Sequence, residues 1–455
     1  MLNVKEILDA TGGELAGGDA EAVFSSVSTD TRKITPGSLF VAIKGPNFDG
    51  HDFIGEARNK GASGAVVSRE MPAHGGFTLI KAKDTLDAFG RIGGLHRRRF
   101  DIPVIALTGS NGKTTTKEML SLILSVKYKV LKTEGTENNF IGVPQTLLRM
   151  DGSHEIAVIE LGTNHPGEIA HLADIVQPNC GIIINAGPSH LEYFGTVDNV
   201  RAEKIDLVKR IGEEGSVIVN GNDPKLAGAA RRMCEEVVSF GFGADCDFYA
   251  DNIQESACGM SFMMNGVHIV KLRVLGRHNI YNALAAIAAG SLYGVEAPDA
   301  AKALEGFTLP KLRMEFVSCS GIDFIFDCYN SNPLSMGSAI ETLCNMGPGK
   351  RKVLVAGDML ELGDSAPELH RQAGRQAAMA GVDVLAGVGS LSGYILEGAR
   401  EEGIGGETLL RFGDSVEAAK ALKKILKEGD LVLVKGSRGM KMEEIKKCFI
   451  TCSIR

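Results

Sequence analysis

Pro103-Val-Ile-Ala-Leu-Thr108 runs directly into Gly109-Ser110-Asn111-Gly112-Lys113-Thr114-Thr115, and this stretch decides the fold. A short apolar run ends in a Gly-rich turn. Met119, Leu120, Ile123 and Leu124 then follow at helical spacing. Strand, tight loop and helix in that order form the setting a phosphate-binding loop requires. Gly109 and Gly112 let the backbone turn sharply enough for its amides to face phosphate oxygens, and the helix N-terminus adds partial positive charge. Lys113 is placed to reach β- and γ-phosphates, and the Thr114 hydroxyl to hold a Mg²⁺ ion. Leu107 stands where the strict pattern carries its first Gly.

The alternation continues outward from this loop. Ile156-Ala-Val-Ile-Glu-Leu161, Gly181-Ile-Ile-Ile-Asn185 and Ser216-Val-Ile-Val-Asn220 read as strands, each followed by turn residues and a helical segment. This predicts a mostly parallel sheet covered on both faces, over residues 83–310. After Leu309-Pro310 the pattern repeats in Val353-Leu-Val-Ala-Gly357, Val382-Asp-Val-Leu-Ala-Gly387 and Leu431-Val-Leu-Val-Lys-Gly436. Residues 311–455 are therefore expected to form a doubly wound, Rossmann-like unit. Before the loop, residues 1–82 mix short β-like runs with Gly, Asp and Asn turns, the texture of a small α/β domain. Asp84 to Arg99 reads as a helix whose basic end, His96-Arg-Arg-Arg99, suits a helix C-terminus. The expected architecture is α/β in three domains.

Length agrees: 455 residues at about 150 per domain suggest three. Hydrophobic residues at 44% and charged ones at 23% describe a globular chain. A net charge of −7 argues against a nucleic-acid binder, which would carry a basic surplus. No apolar run approaches the ~18 residues of a membrane span. The N-terminus has acids in its first turns and no apolar core, unlike a signal peptide. The nine Cys are scattered without a C-x-x-C pair, which reads as free thiols in a reducing cytoplasm.

Several residues beyond the loop stand out less clearly by themselves. Glu160 ends a strand, where parallel sheets bind ligands, and a carboxylate there can hold Mg²⁺. His190 follows another strand in Gly187-Pro-Ser-His190. Lys204 lies in a helix expected over 197–211 and alone reads as a surface charge paired with Glu203 or Asp206. Asn279 and Asn282 open an Ala-rich helix, where an Asn is often a cap. Asp327 precedes Cys-Tyr-Asn-Ser-Asn-Pro333, which turn chemistry alone would explain.

Taken together these segments resemble the Mur ligases, the ATP-dependent amide ligases that build the peptide stem of peptidoglycan. The resemblance spans nearly the whole chain. It is carried by Thr29-Asp-Thr31-Arg, Pro36-Gly-Ser-Leu-Phe-Val-Ala-Ile-Lys-Gly45, the phosphate loop, Asn138-Asn-Phe-Ile-Gly-Val-Pro144, Glu160-Leu-Gly, His190-Leu-Glu-Tyr-Phe-Gly195, Leu275 to Asn282, Tyr329-Asn-Ser-Asn-Pro333 and Gly357-Asp-Met-Leu-Glu-Leu-Gly363. The Asn-Asn-Phe, Tyr-Asn-Ser-Asn-Pro and Gly-Asp-Met blocks point to the members that add D-alanyl-D-alanine.

The resemblance implies a reaction and a site. ATP would be bound by Thr108, Gly109, Ser110, Asn111, Gly112, Lys113, Thr114 and Thr115, with Asn279 and Asn282 near the adenine, Arg313 on the phosphates and Asp327 on the ribose. One Mg²⁺ would lie near Thr114 and Glu160. A second would be held by His190 and by Lys204, which matches a lysine carbamylated in relatives. Lys113, Glu160, His190 and Lys204 form the implied catalytic set. Thr31 would contact the UDP group, and Asn138 or Asn139 the reacting carboxylate. The implied substrates are UDP-N-acetylmuramoyl-tripeptide and D-alanyl-D-alanine, joined in the bacterial cytoplasm by a monomer whose three domains bind UDP, bind ATP, and close on ATP while holding the dipeptide. Two other readings stay open: a Mur-type ligase that adds the third-residue diamino acid, and a P-loop ATPase switch.

Overall fold

Three large sheets, beside a two-stranded antiparallel pair of Leu2–Asn3 with Val23–Phe24, carry the chain, and each large one is built by the alternation of short apolar runs with helices. The computed structural model describes residues 1–72, 75–212, 214–256 and 259–450. The first sheet has five strands in the order Glu14–Gly17, Thr78–Lys81, Gly64–Val67, Ser38–Val41, Ser26–Ser28. All neighbours are parallel except the edge pair Glu14–Gly17 with Thr78–Lys81. Helix Thr85–Arg97 leads out of this unit, capped by Asp84, whose carboxylate accepts from the amides of Leu86 and Asp87. In the basic run at its end, Arg97 turns inward and caps two carbonyls, of Phe100 at 2.7 Å and Ile102 at 3.3 Å.

The central sheet has nine strands, and its order centres on the strand before the phosphate loop. Val104–Thr108 lies between Cys180–Ile183 and Ile156–Glu160, parallel to both. Register sets Glu160 opposite Leu107 and Ile183 opposite Thr108, so the turns that follow all three strands open on one edge. The helices Lys113–Leu124 and His278–Leu292 cover one face. Gly142–Leu148, Glu168–Val176 and Pro224–Arg231 cover the other. The Ala run 283–289 allows close approach of the first two helices, and a Cβ at Gly290 would sit 2.6 Å from the Ile123 side chain. Ile123 is fully buried there, and its replacement by Ala should cost ~2–5 kcal/mol through the cavity left behind.

At its far edge this mostly parallel sheet turns antiparallel. Phe248–Ser256, Gly259–Met264 and His268–Leu272 form an antiparallel meander beyond Val237–Phe242. Residues 251–256 alternate between half-buried and exposed positions, because one face packs on the core and the other meets water. The helix expected over 197–211 stops at Ile205, and a 3₁₀ turn, Val208–Arg210, completes it.

The third sheet runs Glu315–Cys319, Ile322–Asp327, Leu431–Lys435, Lys352–Gly357, Val384–Val388, Leu409–Phe412. Its first pair is an antiparallel hairpin and the rest are parallel, with apolar clusters on both faces. Asp327 and Lys435 are register partners at the C-terminal ends of neighbouring strands. Cys180, Cys234, Cys246, Cys328, Cys344 and Cys448 are free thiols; Cys258 and Cys452 lie outside the described residues. Among the described residues, no helix is long and apolar enough to cross a membrane.

Candidate active site

The strand ends of the central and third sheets meet at a cleft with a cavity of about 340 Å³. Its floor is the phosphate loop. Gly112 takes φ +84°, and a Cβ there would lie 2.2 Å from Asn282 Oδ1, so only Gly fits. No side chain caps the helix that Gly112 opens, which leaves its first-turn amides available to an anion. Behind the loop, Asn185 fixes its shape: the Ser110 amide donates to the Asn185 carbonyl at 3.1 Å and the Asn111 amide to Asn185 Oδ1 at 2.9 Å. Lys113 Nζ folds back onto the Gly109 carbonyl at 2.7 Å. Burial lowers the pKa of this ammonium, and Glu160 opposes that shift.

Glu160 is 1% exposed. Its Oε1 accepts from Asn138 Nδ2 at 2.7 Å and from Thr114 Oγ1 at 3.3 Å, while Oε2 is buried with no hydrogen-bond partner. A Cβ at Gly162 would strike Asn138 Oδ1 at 2.6 Å, so the Glu-Leu-Gly spacing lets Asn138 reach the carboxylate. Asn139 also lines the cavity, but its Oδ1 is engaged in accepting from the amides of Ile141 and Gly142.

One wall comes from the Ala-rich helix. Asn279 donates to the Leu275 carbonyl at 2.7 Å, Asn282 donates to Asn279 Oδ1 at 2.9 Å, and Thr116 Oγ1 donates to Asn282 Oδ1 at 3.2 Å. These bonds lock both amides beside the loop. The opposite wall belongs to the third unit. Arg313 donates to Thr114 Oγ1 at 3.1 Å and stacks 4.0 Å above the centre of the Tyr329 ring. Leu312 and Met314 on either side hold positive φ angles of 63° and 46°, a strain that fixes where the arginine stands. Asp327 lies 2.5 Å from Lys435 Nζ, and Lys435 also donates to the Asn330 carbonyl.

His190 and Lys204 belong to the cleft differently. His190 lines the cavity and its Nδ1 meets Glu361 Oε2 of the third unit at 2.5 Å. Burial lowers its pKa against the pull of Glu361. Lys204 is 2% exposed, so it is no surface charge. Among the described residues no hydrogen bond or ion pair reaches its ammonium. Burial and the charge of Lys113 push its pKa down to about 7. Thr108 and Gly109 form the loop's backbone without lining the cavity. Thr31 stands away from it on the first unit, where its hydroxyl donates to Glu56 at 2.9 Å.

Comparison with known proteins now adds to this geometry. Family profiles for the Mur ligase middle domain, the Mur ligase glutamate ligase domain and the Mur ligase family catalytic domain match residues 107–290, 312–438 and 23–78. This chain is 36% identical over 451 residues to the UDP-N-acetylmuramoyl-tripeptide–D-alanyl-D-alanine ligase of Bacillus subtilis, covering 98% of each chain. This chain belongs to the Mur ligase family. Among solved structures, MurF from Acinetobacter baumannii superposes with a TM-score of 0.89 at 34% identity, covering 98% of this chain and 97% of that one. MurF ligase from Thermotoga maritima, solved in complex with ADP, gives 0.83 at 28% identity, covering 93% and 96%.

The family implies Mg²⁺, and the donors of this Mur ligase fit a hard cation. Glu160 offers a buried oxygen that accepts no hydrogen bond, and Thr114 a hydroxyl on the neighbouring edge. Mg²⁺ usually takes one or two carboxylates and completes its shell with phosphate oxygens and water. Among the described residues no three His, Cys, Asp or Glu side chains form a metal group by themselves, so phosphate would have to supply the rest.

Sequence reasoning overlooked three residues of the ligase. Lys117 is fully buried, one turn after Lys113. It donates to the Gly135 carbonyl at 2.8 Å, pairs with Glu118 at 3.1 Å and stands 3.8 Å from Glu160 Oε2. A lysine on the apolar face of that helix was its only signal. His278 lines the cavity with a buried, unpartnered Nδ1, and burial lowers its pKa to about 4, which keeps it neutral. Lys435 carries the same mark as Glu160, a charge at the C-terminal end of a parallel strand.

Proposed function

We propose that this Mur ligase uses ATP to join D-alanyl-D-alanine to UDP-N-acetylmuramoyl-tripeptide in the cytoplasmic synthesis of peptidoglycan precursors. One observation carries the reading: a single cavity joins an uncapped phosphate loop, the Glu160 carboxylate and Arg313 from another sheet unit. The full-length likeness to ligases of that name supports the choice of substrates.

Making an amide in water needs an activated acyl group. The γ-phosphoryl group of ATP passes to the tripeptide carboxylate, giving an acyl phosphate and ADP. The free amine of the dipeptide attacks the acyl carbon, the tetrahedral intermediate collapses, and the phosphate leaves with the former carboxylate oxygen. The first step brings a carboxylate toward a polyanion. Lys113, Arg313 and the first-turn amides of the helix offset that charge, so catalysis is chiefly positioning and electrostatics. Asn138 would steady the reacting carboxylate beside Glu160. Asn279 and Asn282 would face the adenine, and Asp327, oriented by Lys435, the ribose.

Two Mg²⁺ ions would serve this chemistry, one near Thr114 and Glu160, the other near His190 and Lys204. When bound they supply positive charge to the phosphate oxygens. Lys204 would join as a carbamate: its ammonium loses a proton, and the neutral amine then adds CO₂ with loss of a second, so its charge changes from +1 to −1 and two oxygens become available to a hard cation. A pKa lowered to about 7 supports this, because an appreciable fraction of the amine is then neutral at neutral pH. Residues 1–82 would bind the UDP group, with Thr31 in contact. Residues 83–310 would hold ATP, and residues 311–455 would close on it as part of a monomer.

The test is ADP release by the purified chain. It should require UDP-tripeptide and D-alanyl-D-alanine together. Rapid ATP hydrolysis with neither present would favour an ATPase switch. Turnover with UDP-dipeptide and a free diamino acid would favour the other type of Mur ligase.

A further inference from the structure

We propose that Glu361, brought by a turn of the third unit, is a positioning residue for His190: it fixes the imidazole hydrogen on Nδ1 and leaves Nε2 to a divalent cation. The inference rests on the metal reading above. It adds that the site near His190 is complete only when the third unit is docked.

His190 Nδ1 lies 2.5 Å from Glu361 Oε2. An ionised carboxylate can only accept, so the ring donates from Nδ1, and the neutral imidazole then carries its free lone pair on Nε2. Among the described residues no hydrogen bond reaches that second nitrogen. The ring lines the cavity that Lys113, Thr114 and Glu160 also line, beside the phosphate loop. Lys113 and Lys204 act on it by their charge and make no bond to it, so among the described residues Glu361 alone sets the tautomer.

A histidine that ligates a metal almost always donates its other N–H to a carboxylate, a carbonyl or water, which holds the ring in one tautomer and one orientation. Here the carboxylate comes from a different sheet unit. The Glu361 side chain is 44% exposed, so the pair adds little to stability. What it decides is which nitrogen carries the hydrogen.

The backbone on both sides is shaped to hold this contact. His190 takes φ +52° and Glu361 φ +63°, so two left-handed residues that are not glycine meet face to face. The Glu361 carbonyl accepts from the Glu192 amide at 3.2 Å. Gly363 takes φ +55°, and a Cβ there would lie 3.1 Å from Glu192 Cα, so the turn packs against the backbone of helix Leu191–Phe194. Leu191 and Phe194 share a buried apolar cluster with Met359 and Leu362. The turn therefore carries Glu361 onto His190 as one docked piece. When the third unit swings away, the ring loses its acceptor and the cation site loses a fixed ligand.

The experiment titrates the whole enzyme with Mn²⁺, read by electron paramagnetic resonance, with an ATP analogue present and no dipeptide. His190→Gln should weaken one Mn²⁺ site. Glu361→Gln should weaken that same site by about 10- to 100-fold, the range for loss of a group that orients a metal ligand, and leave the other unchanged. Nitrogen-15 NMR of the metal-free, histidine-labelled enzyme supplies a readout that a role in docking alone would not move. The His190 signal, assigned by its loss in His190→Gln, should show hydrogen on Nδ1 in the wild type and on either nitrogen in Glu361→Gln, whose amide can donate or accept. Unchanged Mn²⁺ affinity in Glu361→Gln, hydrogen on Nε2 in the wild type, or an unchanged tautomer in Glu361→Gln overturns the proposal. Unchanged Mn²⁺ affinity in His190→Gln overturns the metal reading itself, so the two failures are told apart.

Discussion

Asn111 in the phosphate loop and Asn332 in the third unit exchange two amide hydrogen bonds across the cleft. Asn111 Nδ2 donates to Asn332 Oδ1 at 3.1 Å, and Asn332 Nδ2 donates to Asn111 Oδ1 at 3.0 Å. Asn332 also caps helix Pro333–Met346, accepting from the Ser335 amide. The helix cap and the domain contact are thus one side chain. Arg313 on Thr114, Glu361 on His190 and the Glu192 amide on the Glu361 carbonyl also tie the two units together.

Asn111→Ala removes both amide bonds and leaves the helix cap intact. Two hydrogen bonds at about 1 kcal/mol each predict a rise of about 10- to 30-fold in KM for ATP, with little change in Tm. The third unit is expected to swing onto the central one with nucleotide, hinged near Leu309-Pro310. Small-angle scattering should show compaction with an ATP analogue and UDP-tripeptide, at higher nucleotide concentration in the variant. Identical curves with and without ligand would contradict the closure.

Lys113→Ala should lower kcat by ~10²–10³-fold, as loss of a transition-state charge partner does. Its ammonium donates to the loop carbonyl of Gly109 and packs little of the core, so circular dichroism and Tm should stay near wild type. Near-normal turnover in a folded variant would remove Lys113 from the reaction.

Lys117→Met should destabilise the protein by ~3–5 kcal/mol, because it leaves the buried Glu160 without its nearby cation. Adding Glu160→Gln should restore much of that loss while turnover stays low. The check is chemical denaturation of both single variants and the double one. Simple additivity would mean that the two side chains do not act on each other.

Lys204 predicts a pH dependence. Its folded pKa is about 7 against an ordinary value of 10.5, so between these the unfolded chain binds more protons. Stability from this group therefore rises with pH from about 7 to about 10.5, by a few kcal/mol in all. Lys204→Met should flatten the rise, measured by denaturation across that range in CO₂-free buffer. An equally steep rise in the variant would assign it to other groups. Lys204→Ala should lose turnover and regain part of it with added short-chain carboxylates if the carbamate acts in the reaction.

The sequence alone determined the α/β class, the strand–loop–helix at Thr108 to Thr115 and the alternation on either side of it. These signals are local: apolar periodicity, Gly in turns and a charged residue at a strand end are all written within a dozen residues. The antiparallel meander after Val237–Phe242 was not read, although residues 251–256 alternate, because an edge hairpin depends on which face of the sheet remains uncovered. Only the tertiary structure decided that Lys204 is buried, that Lys117 stands behind Glu160, and that Asn111 meets Asn332 from 221 residues away. The physical reason is that desolvation and side-chain pairing depend on how separate sheets pack together. No stretch of sequence shorter than the contact itself records that packing.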